Sequence, residues 1–267
     1  MISIYPFFLY FLGGYLLVGV VLFLLQKWLI FQSRSLSPDH VFHFEIPFRE
    51  VNIALGGKDN LNLIRFYVEE SSPRGLVLYF HGNRDNVERY AQYASHFTRN
   101  HYEVWMVDFP GYGKSTGRQT EENFYFQARE AFRIAQEKFP QNQIILYGKS
   151  LGSGVASYLA KNSRCKRLVL ETPYFSMPDL MASYAPIYPA RAMTRIGFPV
   201  GLNCAAVQAP ISILAGRKDR VIPYRCTLKI RPYLKTGDEF LVIPKGTHHN
   251  LSEFPEFHQH LAHILSQ

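Results

Sequence analysis

The sequence predicts an α/β protein, with a mostly parallel central sheet flanked by helices and preceded by one membrane-spanning helix. Three observations lead to this prediction. Short continuous apolar runs alternate with helix-like spans from about residue 75 onward, two earlier stretches alternate apolar with polar residues, and the first charged residue is Lys27. Continuous apolar runs suit strands buried on both faces. A strand-helix rhythm implies parallel strands with helices on both faces of the sheet.

The composition narrows the function classes. Of 267 residues, 47% are hydrophobic and 19% are charged, which excludes an intrinsically disordered chain. The net charge is +8, but no nucleic-acid-binding motif accompanies it, so we expect no nucleic-acid partner. Three cysteines, Cys165, Cys204 and Cys226, show no C-x-x-C spacing, which argues against a disulfide framework or a zinc ribbon.

The N-terminal apolar segment predicts a membrane anchor at residues 1–30. Phe7 to Leu25 would span about 28 Å as a helix, close to the ~30 Å hydrocarbon core. A signal peptide would need a basic start, a shorter apolar core and a small-residue cleavage site, and the segment lacks all three. Because Lys27 and Arg34 follow the segment and no Lys or Arg precedes it, the positive-inside rule places the remainder on the cytoplasmic side.

Residues 31–267 are predicted to form one domain. Phe44 to Leu55 and Leu61 to Val68 read as an antiparallel edge with a turn at Gly56-Gly57. The buried strands are predicted at 75–80, 104–109, 144–147, 167–170, 211–215 and 240–243, and the helices at 86–100, 120–138, 151–162 and 253 to the C-terminus. An insertion at about 174–208 follows a strand end, where α/β sheets bind ligands, and is a candidate cap.

A G-x-S-x-G motif, Gly148 to Gly152, lies between the strand at 144–147 and the helix that follows it. That context is typical of a nucleophile elbow, in which a serine occupies a strained turn and small neighbours avoid collisions. Ser150 is therefore the candidate nucleophile. A serine hydroxyl needs a base, and the base needs an orienting acid.

Asp219 follows the strand at 211–215, and His248 and His249 follow the strand at 240–243. All three lie at carboxyl ends of strands, the same edge as Ser150. We predict Asp219 as the orienting acid and His249 as the general base, with the adjacent His248 as the alternative.

These motifs resemble those of the α/β-hydrolase superfamily, together with His81-Gly82-Asn83 and the turn Asp108-Phe109-Pro110-Gly111-Tyr112-Gly113-Lys114-Ser115. The chain is most similar to a membrane-anchored branch that includes protein depalmitoylases and serine aminopeptidase-like hydrolases. The resemblance implies an α/β-hydrolase fold with a short cap, and the Gly-x-x-His-Asn pattern of the branch, matched by residues 246–250, favours His249. It also implies an oxyanion hole made by the backbone N–H groups of Asn83 and Leu151.

Other functional sites are disfavoured. Gly113-Lys114-Ser115 and Gly148-Lys149-Ser150 resemble the end of a phosphate-binding loop, but Asp108 and Gln143 stand where that motif needs glycine. His258, His260 and His263 suggest a metal cluster, yet positions 258 and 260 of a helix point apart. We therefore predict that no metal or organic cofactor is used, and that His81 and Asp108 have structural roles.

The predicted function is a membrane-anchored serine hydrolase that cleaves acyl esters or thioesters of lipid-like or acylated substrates. The insertion supplies an apolar set suited to an acyl chain, namely Tyr174, Phe175, Met177, Met181, Tyr184, Tyr188 and Phe198. An aminopeptidase-like hydrolase is the first alternative, although its amine subsite needs an acid and the insertion contains only Asp179. A non-catalytic, membrane-tethered scaffold that binds a hydrophobic ligand is the second alternative.

Overall fold

A computed structural model describes residues 5–57, 59–68 and 72–267. The described residues form an eight-stranded sheet as the centre of the fold. Its strands are β1 Phe48–Ala54, β2 Asn60–Phe66, β3 Gly75–Phe80, β4 Tyr102–Val107, β5 Ile144–Lys149, β6 Arg167–Glu171, β7 Ile211–Gly216 and β8 Glu239–Ile243. The predicted strands are confirmed, with ends shifted by up to four residues.

The strand order is β8-β7-β6-β5-β3-β4-β2-β1. Strands β3 to β8 pair in parallel, whereas β1 and β2 run antiparallel at one edge. Gly56 and Gly57 form the turn between β1 and β2 with φ values of 95° and 59°, a conformation that glycine adopts without strain. The parallel arrangement brings the carboxyl ends of β3 to β8 to one edge, where ligands of α/β sheets bind.

Helices cover both faces of the sheet. They are α1 Tyr5–Ile30, α2 Val87–Tyr90, α3 Ser95–Thr98, α4 Glu121–Lys138, α5 Gly152–Asn162, α6 Met177–Tyr184, α7 Ala190–Met193, α8 Val200–Cys204, α9 Tyr224–Leu228 and α10 Pro255–Ser266. The predicted helices at 120–138, 151–162 and the C-terminus are confirmed as α4, α5 and α10.

The prediction of a single helix at 86–100 is wrong. It is divided into α2, a 3₁₀ turn at Ala91–Ala94, and α3. The buried residues of this stretch are Val87, Tyr90, Ala91, Ala94 and Phe97. A single α-helix would bury the same positions on one side, so the apolar spacing does not reveal the 3₁₀ turn.

Each face of the sheet carries its own apolar layer, as alternation along β3 shows. Leu76, Leu78 and Phe80 belong to the layer beneath α4 and α5. Val77 and Tyr79 belong to the opposite layer, beneath α10. Strands buried on both faces explain why their sequences are continuously apolar.

Helix α1 has a segment, Phe7–Ile30, that is long and apolar enough to cross a membrane, with a mean hydropathy of 2.4 and only 6% of its most apolar window buried. Residues 1–4 of the predicted anchor lie outside the described residues. Helix α1 packs against residues 187–195 of the insertion, through contacts that run from Tyr15 to Gln26. The insertion, which holds α6, α7 and α8, therefore lies between α1 and the sheet edge.

Candidate active site

Ser150 lies in the sharp turn between β5 and α5. Its φ is 52°, a left-handed conformation that costs a non-glycine residue about 1–3 kcal/mol. The turn is possible because its neighbours are glycines: a Cβ on Gly148 would lie 2.6 Å from the carbonyl oxygen of Gly152, and one on Gly152 would collide with the carbonyl oxygen of Phe80. The strained turn holds the Ser150 hydroxyl at the carboxyl edge of the sheet.

Asp219 lies in the loop after β7, and its carboxylate is held from two sides. Oδ1 accepts hydrogen bonds from the N–H groups of Val221 and Ile222, at 2.8 and 2.7 Å. Oδ2 lies 2.8 Å from Nδ1 of His248. The side chain is almost fully buried, so its orientation is fixed before any ligand binds.

His248 completes a chain of hydrogen bonds with Ser150 and Asp219. Its Nε2 lies 3.0 Å from Ser150 Oγ, while its Nδ1 bonds Asp219. Because a carboxylate can only accept, Nδ1 carries the proton and Nε2 is free to accept the hydrogen of the serine hydroxyl. The structure thus brings the predicted Ser150 and Asp219 together, joined by His248.

The prediction of His249 as the base is wrong in this structure. Successive side chains in the loop after β8 point in different directions, and the backbone register of that loop turns His248 toward Asp219. The Gly246 carbonyl accepts from the N–H of Lys218 at 2.9 Å. The Thr247 N–H and hydroxyl both bond Asn250 Oδ1, at 2.7 and 2.8 Å. Counting residues from Gly246 could not resolve this register.

His249 is exposed at the rim of the site, where its ring meets that of His248 edge-on at 5.0 Å. Partial burial, the neighbouring His248 and the positive charge of Lys149 all lower the pKa of His249 below its ordinary value. The ring is therefore uncharged at neutral pH and lies beside the hydrogen-bond chain without joining it.

The two N–H groups predicted for the oxyanion hole, those of Asn83 and Leu151, belong to residues that line the cavity next to Ser150. Within the described part of the chain, neither group donates a hydrogen bond. The Asn83 loop is held by the end of α1, because Asn83 Nδ2 donates to the Ile30 carbonyl at 3.1 Å and the Asn83 carbonyl accepts from the Gln32 N–H at 3.1 Å. The sequence contained no motif for this contact.

A cavity of about 590 Å³ extends from Ser150 to the seam between α1 and the insertion. One wall consists of the strand-end loops with Ser150, His248 and Asn83. The other wall is mainly apolar and comes from α1 and the insertion: Leu22, Phe23, Gln26, Leu29, Ile30, Tyr174, Met177, Leu180, Met181, Tyr184, Tyr188 and Met193. The described lining contains basic side chains, among them Arg84 and Arg89, and no Asp or Glu.

Comparison with known proteins agrees with the fold. A family model described as "Serine aminopeptidase, S33" matches residues 71–198. An esterase from Pyrococcus furiosus superimposes with a TM-score of 0.67 over 86% of this chain and 95% of its own, at 16% identity. The chain has an α/β-hydrolase fold.

Two relatives are similar to this chain over most of its length. Alpha/beta hydrolase domain-containing protein 17C from Xenopus tropicalis is 26% identical over 72% of this chain and 62% of its own length. Protein bem46 from Schizosaccharomyces pombe is 27% identical over 80% of this chain and 76% of its own. These similarities support a hydrolase.

Beneath the elbow of this hydrolase lies a buried ion pair that the sequence analysis missed. Lys149, the residue before the serine, pairs with Glu171 at the end of β6, and the other Glu171 oxygen accepts from the Tyr147 hydroxyl at 2.7 Å. Burial and the nearby Glu171 carboxylate raise the Tyr147 pKa. Since the Ser150 N–H donates to the Glu171 carbonyl at 2.9 Å, the pair fixes the underside of the turn.

His81 and Asp108 have the positions expected of structural residues. His81 is fully buried and its Nδ1 donates to the Gly82 carbonyl at 2.7 Å. Asp108 Oδ1 accepts from the Val87 N–H at 2.8 Å. Neither residue lines the described cavity.

Of the seven apolar residues predicted to line an acyl site, five do so: Tyr174, Met177, Met181, Tyr184 and Tyr188. Phe175 instead packs on Tyr233, and Phe198 packs on Phe124. Among residues 5–57, 59–68 and 72–267, no group of three His, Cys, Asp or Glu side chains is placed to hold a metal ion.

Proposed function

We propose that this protein is a serine hydrolase that cleaves acyl esters or thioesters of lipid-like or acylated substrates through an acyl-enzyme on Ser150. The observation that carries the proposal is the unbroken hydrogen-bond chain Asp219–His248–Ser150 at one end of an apolar cavity. A nucleophile, a base and an orienting acid in this geometry define acyl-transfer chemistry.

Acylation begins when Ser150 Oγ attacks the carbonyl carbon of the substrate. His248 Nε2 takes the hydroxyl proton and then gives it to the leaving alcohol or thiol. Asp219 holds Nδ1 and stabilises the imidazolium that forms, without taking its proton. The products of this step are the acylated Ser150 and the released alcohol or thiol.

The oxygen of the attacked carbonyl becomes negatively charged and lies between the N–H groups of Asn83 and Leu151. Both groups lack another partner within the described residues, so they can donate to the oxyanion. Losing one such donor typically costs about 100- to 1,000-fold in turnover. In the second step His248 removes a proton from water, and the water oxygen attacks the acyl carbon. The bond from the acyl carbon to Ser150 Oγ then breaks, His248 returns the proton to Oγ, and the acid leaves.

The chemistry of the cavity supports an acyl chain over a peptide. An aminopeptidase needs an acidic group for the free amine, and the described lining contains none. Asp179, the acid in the insertion, is buried and bonded to Arg191 and Lys229, at 2.9 and 2.7 Å. Its charge is therefore neutralised away from the cavity.

We propose further that α1 anchors the hydrolase in a membrane, with the catalytic domain on the cytoplasmic side. The apolar, largely exposed outer face of α1 supports the anchor, and Lys27 and Arg34 after it support the orientation. Proteolysis of intact cells should leave the domain undigested, and permeabilised cells should show its digestion. Digestion without permeabilisation would contradict the orientation.

The activity is tested on the full chain in detergent, with acyl esters and acyl thioesters of increasing chain length. Turnover should be lost in Ser150→Ala, and an equal unfolding temperature would show that the variant is folded. An undiminished rate in this folded variant would contradict the proposal. Absence of hydrolysis by the folded wild type across both series would favour a ligand-binding scaffold.

A further inference from the structure

One face of α1 contacts the insertion. The residues with reduced exposure, Gly19, Leu22, Phe23, Gln26 and Ile30, recur every three or four positions, so they lie along one side of the helix. The opposite side exposes large apolar residues, of which Leu17, Leu24 and Trp28 are 64%, 68% and 73% exposed. The membrane helix therefore has one face for protein and one for lipid.

The contacts on the protein face extend far along the helix. The ring of Tyr15 stacks on that of Tyr188 at 4.6 Å, and its hydroxyl donates to the Ile187 carbonyl at 2.9 Å. Nearer the end of α1, the Arg195 N–H donates to Gln26 Oε1 at 2.8 Å. The insertion is thus fastened to α1 from Gln26 as far as Tyr15.

This length of contact determines how deep the insertion lies. Tyr15 precedes Lys27 by twelve positions, which corresponds to about 18 Å along a helix. Half of the hydrocarbon thickness is only ~15 Å. With Lys27 and Trp28 at the membrane surface, the segment that contacts Tyr15 must lie inside the hydrocarbon of the same membrane.

The composition of the insertion fits such a position. Leu180 to Ala190 contains no Asp, Glu, Lys, Arg or His. We call residues 185–190 the insertion tip, and in it Ile187 is 72% exposed. The charged residue that follows, Arg191, comes where the chain turns back toward Gln26.

Most backbone N–H groups of the insertion tip are satisfied internally, as hydrocarbon requires; among the described residues, the Ile187 N–H is the exception in the tip. Pro186 and Pro189 have no N–H group. The N–H groups of Ala185, Tyr188 and Ala190 donate within the insertion, at 3.0, 3.1 and 2.7 Å.

We propose that the insertion tip enters the bilayer beside α1, and that the cavity opens at this seam into the hydrocarbon. Substrates would then be molecules whose acyl chain already lies in the membrane, and the chain would reach Ser150 sideways, between Leu22, Phe23 and Tyr188, without crossing water. This inference rests on the proposed hydrolase activity and on α1 as the anchor. It adds to both a role for α1, which would form one wall of the substrate site as well as the anchor.

Tryptophan quenching by brominated lipid measures the depth of the tip directly. The natural tryptophans are Trp28 and the buried Trp105, so the full chain with Trp28→Phe has a protected background. Into it we would introduce Ile187→Trp at the tip, Leu17→Trp on the exposed face of α1 as the positive control, and Tyr67→Trp as the negative control. Leu17 precedes Lys27 by ten positions, which is about 15 Å along the helix and so close to the middle of the bilayer. Tyr67 follows β2 at the opposite edge of the sheet from Ser150.

In phosphatidylcholine vesicles brominated near the middle of the acyl chain, the tip should lose about half or more of its added fluorescence, and Leu17→Trp should lose a similar share. Tyr67→Trp should lose none. Quenching at Leu17→Trp but not at Ile187→Trp would overturn the inference and leave the anchor intact. Quenching at neither position would overturn the anchor and the inference together.

Activity provides a second readout. Ile187 does not line the cavity, so Ile187→Asp should leave hydrolysis of a short, water-soluble ester unchanged. Against a long-chain ester held in vesicles, kcat/KM should fall by about tenfold or more, because a carboxylate is costly in hydrocarbon. Ile187→Ala is the matched control and should lose much less. Equal rates of Ile187→Asp and wild type on both substrates would contradict the inference. Loss of activity on both substrates would mean that the substitution damages the fold, and the quenching measurement would then decide.

Discussion

The two walls of the cavity are made in different ways. The strand-end wall is polar, and backbone hydrogen bonds set its geometry: the Asp219 loop bonds the His248 loop through Lys218 and Gly246. The wall formed by α1 and the insertion is apolar and joins segments more than 150 positions apart in the chain, with few polar bonds. The comparison teaches that the reaction depends on atoms fixed within a few tenths of an ångström, whereas substrate choice depends on the shape of a less constrained surface.

Removing the nucleophile should give the largest effect. Ser150→Ala eliminates the covalent step, and comparable substitutions cost about 10⁶-fold in kcat. The strained turn persists because Gly148 and Gly152 remain, so the unfolding temperature should change little. Ester turnover and thermal unfolding of the same preparation check both expectations. If Ser150→Ala lost its activity because it unfolded, the result would contradict the separation between a polar wall that performs the reaction and an apolar wall that selects the substrate.

The histidine pair supplies a matched comparison within the polar wall. His248→Ala should lose about 10⁶-fold in kcat, like the serine variant. His249→Ala should lose less than about tenfold, because that ring bonds neither Ser150 nor Asp219 and replacing it removes only rim contacts. Steady-state kinetics of both variants decide between them. The reverse order of effects would restore His249 as the base.

The pH profile sharpens the same contrast. The base must be unprotonated to accept the Ser150 proton, so kcat/KM should fall as the pH is lowered. The pKa of His249 lies below its ordinary value, mainly because the ring is partly buried, and the ring bonds neither Ser150 nor Asp219. His249→Ala should therefore leave the midpoint of the acid limb in place. A shift or disappearance of the limb in this variant would show that His249 titrates in the reaction.

The orienting acid should have an intermediate effect. In Asp219→Asn, an amide that presents its N–H₂ to Nδ1 favours the wrong imidazole tautomer, and the analogous change costs about 10⁴-fold in kcat. The amide has nearly the same size as the carboxylate, so the variant should bind a non-cleavable acyl analogue as wild type does. Kinetics and analogue binding measured together test this. Weakened analogue binding would show instead that the loop had moved.

An effect confined to long-chain esters is expected at the apolar wall. Leu22→Trp adds bulk inside the cavity and should lower kcat/KM for long-chain esters by about tenfold, since about one to three kcal/mol is typical of overpacking. Short-chain esters should be cleaved at the wild-type rate. Leu17→Trp, on the exposed face of α1, is the control and should change neither. Equal effects of the two variants would mean that α1 is a tether and not a wall.

The sequence predicted most of the polar wall and little of the apolar one. Ser150, Asp219 and the Asn83 loop each follow a strand at a recognisable motif, because strained turns and strand ends restrict which residues can occupy them. The choice between His248 and His249 depended on a loop register held by Asn250, which spacing alone does not encode. Three contacts could not be predicted because each joins segments that are distant in the chain: Tyr15 with Tyr188, Asn83 with Ile30, and Lys149 with Glu171. Each segment taken alone has the sequence pattern of an ordinary helix, strand or loop.

Labelling with a fluorescent fluorophosphonate tests the central claim most directly, because the reagent reports an activated serine without presupposing a substrate. We would treat the detergent-solubilised wild type, Ser150→Ala, His248→Ala and His249→Ala side by side. The wild type and His249→Ala should label, and Ser150→Ala and His248→Ala should not. Labelling of His248→Ala together with loss of labelling in His249→Ala would contradict the assigned triad.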